Sequence, residues 1–206
     1  MNTPIRRIGV VLAILMVALI VNLTIIQVFM ARDYRDRPGN QRNLLAEYDR
    51  ERGPILVGNE PAARSVETGN TLRYQREYSD GPLFAPVTGF YSLVYGATGL
   101  ERTENNILTG KSDLFFVDRI QQLFAGRRRT GGAVTTTINA AAQAAAFKGL
   151  GTKVGAVVAI EPATGRILAS VQSPSFDPNR LTNHDPASIR EYYEALRDDP
   201  TKPLLN

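Results

Sequence analysis

Val154-Gly155-Ala156-Val157-Val158-Ala159-Ile160-Glu161-Pro162-Ala163-Thr164-Gly165-Arg166-Ile167-Leu168-Ala169-Ser170-Val171 is the stretch whose reading decides the fold. From Val154 to Ile160 the residues are apolar on both faces and rich in valine, which predicts a strand buried inside a sheet. Pro162-Ala163-Thr164-Gly165 is turn chemistry, and Arg166 to Val171 supplies a second strand, so the whole predicts an antiparallel hairpin. Two strands alone are marginal in water, and the hairpin from Val154 to Val171, lacking the strands and helices that should complete its sheet, is expected to be exposed and poorly stable.

Upstream, Gly131-Gly132 marks a break, and Ala133-Val134-Thr135-Thr136-Thr137-Ile138 is a β-branched strand. It runs into Asn139, the cap of an alanine-rich helix that carries Gln143 and whose small side chains permit close approach to a sheet. Downstream, Ser173-Pro174-Ser175-Phe176-Asp177-Pro178-Asn179 is rich in turn residues and leads to a short helix from Ser188 to Arg197.

Further out, Gly53 to Glu60 and Ala63 to Thr68 read as short strands around a Gly58-Asn59 turn, followed by a third from Leu72 to Tyr78. The Gly81–Gly99 stretch mixes glycine and proline with Phe84, Phe90, Tyr91 and Tyr95, which predicts an irregular packed surface with its aromatics filling a core. Ser112 is placed to cap a helix in which Phe116, Val117, Ile120, Leu123 and Phe124 recur at helical spacing, with Gly126 past its end. Arg32 to Arg50, with Pro38-Gly39-Asn40, reads as a juxtamembrane linker.

Ile8 to Met30 carries no charge, and a helix of that length crosses a hydrocarbon core of about 30 Å. A cleaved signal peptide would have a shorter apolar run and a small-x-small site, which Phe29-Met30-Ala31 does not supply. Arginines flank both ends, so the positive-inside count does not fix the orientation. A short tail before the span and the folded part after it is the arrangement of a signal anchor, which predicts an extracytoplasmic body.

Hydrophobic residues are 43% and charged residues 21% of the 206, near the globular average. The net charge is only +4, and Arg127-Arg128-Arg129 has no interleaved aromatics, which argues against nucleic acid as a partner. Without cysteine and with one histidine, neither a thiolate nor a histidine-cluster metal site is available, and no cofactor motif is present. Gly110-Lys111-Ser112 imitates the end of a phosphate-binding loop but has Asn105 where the first glycine belongs, so it reads as a helix cap. His184 beside Asp185 reads as an exposed turn, and Glu101/Glu104 and Glu191/Glu194 as solvated helix faces.

The order of these elements resembles the opening of the transpeptidase domain of penicillin-binding proteins. The likeness is carried by Thr135-Thr136-Thr137-Ile138-Asn139 with Gln143, by Gly155 to Ala169, and by Ser173 to Asn179. Arg52-Gly53-Pro54-Ile55 is similar to an element found soon after the anchor in the class B branch, and Tyr91, Tyr95 and Gly99-Leu100-Glu101 resemble the actinobacterial penicillin-binding protein A group. The resemblance implies an α+β chain: a tail and single transmembrane helix over 1–31, a linker and small mixed pedestal domain over 32–130, and over 131–206 the incomplete start of a β-lactamase-like transpeptidase domain.

Members of the family cross-link peptidoglycan stem peptides through an acyl-serine that β-lactams trap. That chemistry takes a serine one helical turn before a lysine, with Ser-x-Asn and Lys-Thr-Gly elements completing the site. Three residues after each serine beyond the anchor stand Thr68, Pro82, Tyr95, Phe115, Ser173, Phe176, Pro178 and Glu191, so Ser-x-x-Lys is absent; Ser-x-Asn is absent too. Arg129-Thr130-Gly131 imitates Lys-Thr-Gly but precedes the place where the nucleophile would fall. The resemblance implies that the catalytic residues come after Leu204-Leu205-Asn206, that stem peptides and β-lactams are partners of the complete protein only, and that the anchor and pedestal meet the lipid bilayer and a multi-span glycan polymerase. The alternative is a noncatalytic, membrane-anchored interaction module of the cell-wall machinery.

Overall fold

The computed structural model describes residues 3–30, 47–70, 72–112 and 130–205. The helix expected after Ser112, the Arg127–Arg129 cluster and most of the linker expected from Arg32 lie outside the described residues. The chain divides into two units, Met1–Asn43 and Leu44–Asn206.

In the first unit, α1 (Thr3–Thr24) continues into a π-helical turn, Ile25–Phe29. Within it Arg6–Val28 is long and apolar enough to cross a membrane. The Thr24 hydroxyl donates to the Ile20 carbonyl at 2.8 Å, one turn back, which satisfies that polar group inside the helix.

The second unit starts from a four-stranded sheet of order β3-β2-β1-β6, in which β1 is Ile55–Val57, β2 Glu60–Glu67, β3 Tyr74–Tyr78 and β6 Val134–Thr136. The first three form the expected antiparallel meander, with Gly58 at φ +63 in the turn. Unlike them, β6 joins β1 in parallel, with Ile55 opposite Val134. Gly131-Gly132, read as a break, is a backbone crossing: a Cβ on Gly53 would lie 1.9 Å from the Gly132 carbonyl oxygen, and one on Gly131 1.8 Å from that of Leu108. Amides of Gly53 and Gly131 donate to Leu108 and Glu51 carbonyls at 2.9 Å, so the glycines let two strands enter the sheet side by side.

The Gly81–Gly99 stretch is more regular than its composition predicts. It holds α2 (Gly81–Thr88), the short pair β4 (Tyr91–Ser92) and β5 (Gly96–Ala97), and the start of α3 (Gly99–Thr103), after which comes α4 (Asn105–Leu108). Its aromatics do fill a core, with Phe84, Phe90 and Tyr91 all buried.

Asn139 caps α5 (Ala140–Leu150), its side chain accepting from the Ala142 amide at 3.0 Å. The hairpin forms as expected from β7 (Gly155–Ile160) and β8 (Ile167–Ser173). Burial of the first strand, read from its two apolar faces, is corrected: β7 is exposed, with Val158 at 55% and Ile160 at 56%, as expected of a hairpin without the rest of its sheet, whereas β8 buries Ala169 and Val171. Among the described residues β7 pairs with β8 alone, which leaves β7 uncovered. A 3-10 turn at Pro178–Leu181 leads to α6 (Pro186–Asp198), whose Ile189 and Leu196 pack with Ala85, Phe90, Phe176 and Leu181.

Candidate functional site

The polar groups that join the four-stranded sheet and α2 to the hairpin region form the candidate site. Gln143 lies on α5 one turn after the Asn139 cap and is fully buried. Its amide nitrogen donates to the Ser170 carbonyl at 2.8 Å and to the Leu83 carbonyl at 2.9 Å, and its oxygen accepts from the Ser170 amide at 2.8 Å. One primary amide thereby does for Ser170 what a neighbouring strand would do, and in the same step ties α5 and β8 to α2.

Asn179 repeats the device at the other sheet. Its side chain accepts from the Tyr78 amide at 2.8 Å and donates to the Tyr78 carbonyl at 2.9 Å, while the Thr182 hydroxyl donates to the Arg76 carbonyl at 2.8 Å. The Asp177 carboxylate accepts from the Asn179 amide at 3.0 Å and fixes the turn. Gly81 sits beneath it: a Cβ there would stand 2.5 Å from Asp177 Oδ1 and 2.9 Å from Pro178 Cδ. Thus Ser173 to Asn179, singled out as a motif, is the segment that docks the hairpin region on the edge of β3.

Beneath this edge lies a buried ionic cluster. Glu101, fully buried on α3, accepts from Arg52 Nε at 2.5 Å and from Arg76 Nε at 2.6 Å, and Tyr78 donates to it at 3.2 Å. Arg52 also reaches Asn105 at 2.7 Å and lies 4.5 Å from the centre of the Tyr91 ring, a cation–π contact that shares its charge. Burial, then the negative charge of Glu101, pushes the Tyr78 hydroxyl well above its ordinary pKa, so it retains the proton it donates to Glu101. Sequence reading took Glu101 for a solvated helix face; its signal was the co-occurrence of Arg52 and Arg76 with a carboxylate on a glycine-led turn.

Other sequence candidates fall apart in the fold. Asp185 is the cap of α6, accepting from the Ala187 amide at 3.0 Å, and is not an acid-base partner of His184. His184 is not an exposed turn residue: it is half-buried, its ring edge-on to Tyr48 at 5.9 Å between centroids. Lys111 pairs with Glu47 at 2.9 Å rather than facing a phosphate cradle, and Glu191 and Glu194 are exposed on α6 as expected. Among the described residues no group of His, Asp and Glu is arranged to hold a metal ion.

A cleft of about 390 Å³ opens between α2, the β6–Ile138 segment and β8, lined by Val87, Leu100, Val134, Ile138 and Ile167, with Glu104 as its charged group. The arrangement offers side-chain joints between elements.

Comparison with known proteins agrees with this geometry. The family described as the penicillin binding protein A dimerisation domain matches residues 52–134, from the arginine of the buried cluster to the first residue of β6. A peptidoglycan D,D-transpeptidase, PbpA, of Mycolicibacterium smegmatis is 48% identical over 211 aligned residues, which take in 100% of this chain and 43% of that protein. The PbpA of Mycobacterium tuberculosis is 46% identical over the same shares. A solved structure of penicillin-binding protein A from M. tuberculosis, a ceftriaxone acyl-enzyme complex, superimposes with a TM-score of 0.76 at 44% identity, covering 78% of this chain and 37% of that one. The chain thus spans less than half the length of the curated relatives it matches.

Proposed function

Since the chain belongs to the class B penicillin-binding proteins of the PbpA type, we propose that it forms the anchor, pedestal and opening of a peptidoglycan D,D-transpeptidase that cross-links the cell wall. The observation that carries this reading is the joint itself. Gln143 and Asn179, both within the motifs that resemble the transpeptidase opening, tie the hairpin region to α2 and to β3 respectively, both of which lie within the stretch that matches the dimerisation family.

In this reading residues 1–31 are tail and anchor, 32–130 linker and pedestal, and 131–206 the start of the transpeptidase domain. The chain sits in a bacterial plasma membrane by one span, with the part after the span outside the cytoplasm. The 206 residues position the catalytic domain; the reacting serine, and with it the binding of stem peptides and β-lactams, belongs to sequence following Asn206. A multi-span glycan polymerase is the partner of anchor and pedestal, supplying the strands to be cross-linked.

The test is to read the gene beyond Asn206 and to label membranes with a fluorescent penicillin. A downstream Ser-x-x-Lys, labelling of the protein that carries it and no labelling of the 206-residue chain are expected. Lack of that motif downstream, or stable labelling of the 206 residues alone, overturns the assignment.

A further inference from the structure

Arg76, on β3 and only 2% exposed, donates from Nε to Glu101 at 2.6 Å and from Nη1 to the Arg52 carbonyl at 3.1 Å. Its Nη2 is buried and has no hydrogen-bond partner among the described residues. The hydroxyl of Tyr48, a residue only 3% exposed, is buried and unpartnered too. Both side chains line one cavity of about 10 Å³. A guanidinium nitrogen can only donate, and a phenol that burial holds protonated donates as well. Leaving such donors unmet in a core costs more than an ordinary hydrogen bond contributes, so the pair calls for an acceptor in the cavity.

The charge around the cavity decides which acceptor fits. Arg52 and Arg76 share Glu101 as counter-ion, which leaves one buried positive charge over. Arg50, half-buried, lines the cavity and adds a second. Glu47 is the carboxylate on its wall, and it is engaged by Lys111 at 2.9 Å and by the Tyr91 hydroxyl at 3.1 Å. A neutral water would satisfy the donors and leave the surplus charge buried, whereas an anion meets both demands. Size narrows the choice further, since room for about one water-sized sphere admits a halide and shuts out phosphate, sulfate and carboxylates.

We propose that this cavity is a binding site for a small monovalent anion, a halide, held by Arg76 Nη2 and the Tyr48 hydroxyl. The bound ion ties the stretch before β1, where Tyr48 stacks on Tyr91 with ring centres 5.2 Å apart, to β3 of the four-stranded sheet. The site stands apart from the transpeptidase reading and does not depend on it.

The test is urea unfolding of the 206-residue chain in detergent, with sodium chloride exchanged for sodium gluconate, whose anion is too large for the cavity. Constant ionic strength keeps the screening of surface charges equal throughout. Chloride is expected to raise the midpoint along a saturating curve, as a ligand of the folded state does, and bromide to do the same. Tyr48→Phe gives up a hydroxyl that has no internal bond, so in gluconate its midpoint should stay near the parent's, while its apparent halide affinity falls about 10-fold. In crystals grown with bromide, an anomalous peak is expected beside Arg76 and Tyr48. A midpoint that does not distinguish chloride from gluconate means that the cavity takes water alone, and overturns the proposal. A chloride effect left intact by Tyr48→Phe, or a bromide peak only at other residues, places the anion elsewhere and overturns it as well.

Discussion

The Ser175 hydroxyl donates to the Pro82 carbonyl at 2.7 Å. That carbonyl would ordinarily accept from the amide four residues on, but the residue there is Pro86, which has no N–H. A side chain from beyond β8 therefore completes the hydrogen bonding of α2. Ser175→Ala is expected to cost about 0.5–1.5 kcal/mol in urea unfolding of the full chain in detergent. In a Pro86→Ala background, where the amide at 86 can donate to Pro82 itself, the cost of Ser175→Ala should shrink toward zero. Equal costs in the two backgrounds would refute the substitution of one donor by the other.

The same proline explains what the sequence reading missed. Gly81, Pro82 and Pro86 look like breakers when read locally, and only a hydroxyl ninety-three residues away makes the helix admissible. The hairpin, by contrast, was legible because a valine-rich apolar run and a Pro-Ala-Thr-Gly turn are local signals. Burial of β7 was misjudged for a related reason: apolar residues on both faces state what a strand needs, and whether anything covers it is a tertiary matter. Gln143 and Asn179 were visible as parts of motifs, but their work on Ser170 and Tyr78 was not, since amide pairing with a distant backbone leaves no period in the chain. Glu101 was hidden because a buried carboxylate and a solvated one have the same local spelling.

Glu101 forms ion pairs with two buried arginines at once. Glu101→Gln keeps its shape and removes the charge, leaving Arg52 and Arg76 in mutual repulsion in the core, and a loss of about 3–5 kcal/mol is expected. The exposed pair Arg64–Glu77 at 2.9 Å gives the contrast, where Glu77→Gln should change stability by less than about 1 kcal/mol. Similar losses for the two variants in matched urea titrations would contradict the cluster's role.

Gly53 and Gly58 test the backbone crossing against ordinary turn strain. Gly58→Ala meets no atom within 4 Å but must hold φ +63, for which about 1–2 kcal/mol is expected. Gly53→Ala drives a methyl into the Gly132 carbonyl and must part β1 from β6. Limited proteolysis should therefore open the Gly53 variant near Gly131 while the Gly58 variant stays intact.

The one histidine of the chain gives a pH dependence of fixed sign. Desolvation lowers the His184 pKa below its ordinary 6.5. Above 6.5 the ring is neutral in both folded and unfolded chains and its full contribution is present. As pH falls through 6.5 the unfolded chain takes up the proton first, so stability declines toward the lowered folded value. The urea midpoint should fall between pH 7.5 and 5.5, and His184→Gln should flatten that part of the curve. An unaltered slope in the variant would place the titrating group elsewhere.

Hydrogen exchange separates the two strands of the hairpin that composition alone would treat alike. Strand β8 buries Ala169, Val171 and Gln172 and has Ser170 clamped by Gln143, whereas β7 carries Val158 at 55% and Ile160 at 56% exposure and, among the described residues, pairs on one edge only. Amides of β7 that point away from β8 are expected to exchange on the timescale of an open edge, and those of Ala169 to Val171 only with larger opening. Substitutions should divide the same way: Val158→Thr within about 0.5 kcal/mol of the parent, Val171→Ala costing about 1–3 kcal/mol. A β7 as protected as β8 in the 206-residue chain would mean that a second copy or another surface covers the strand in solution, and cross-linking at Val158→Cys would then identify which.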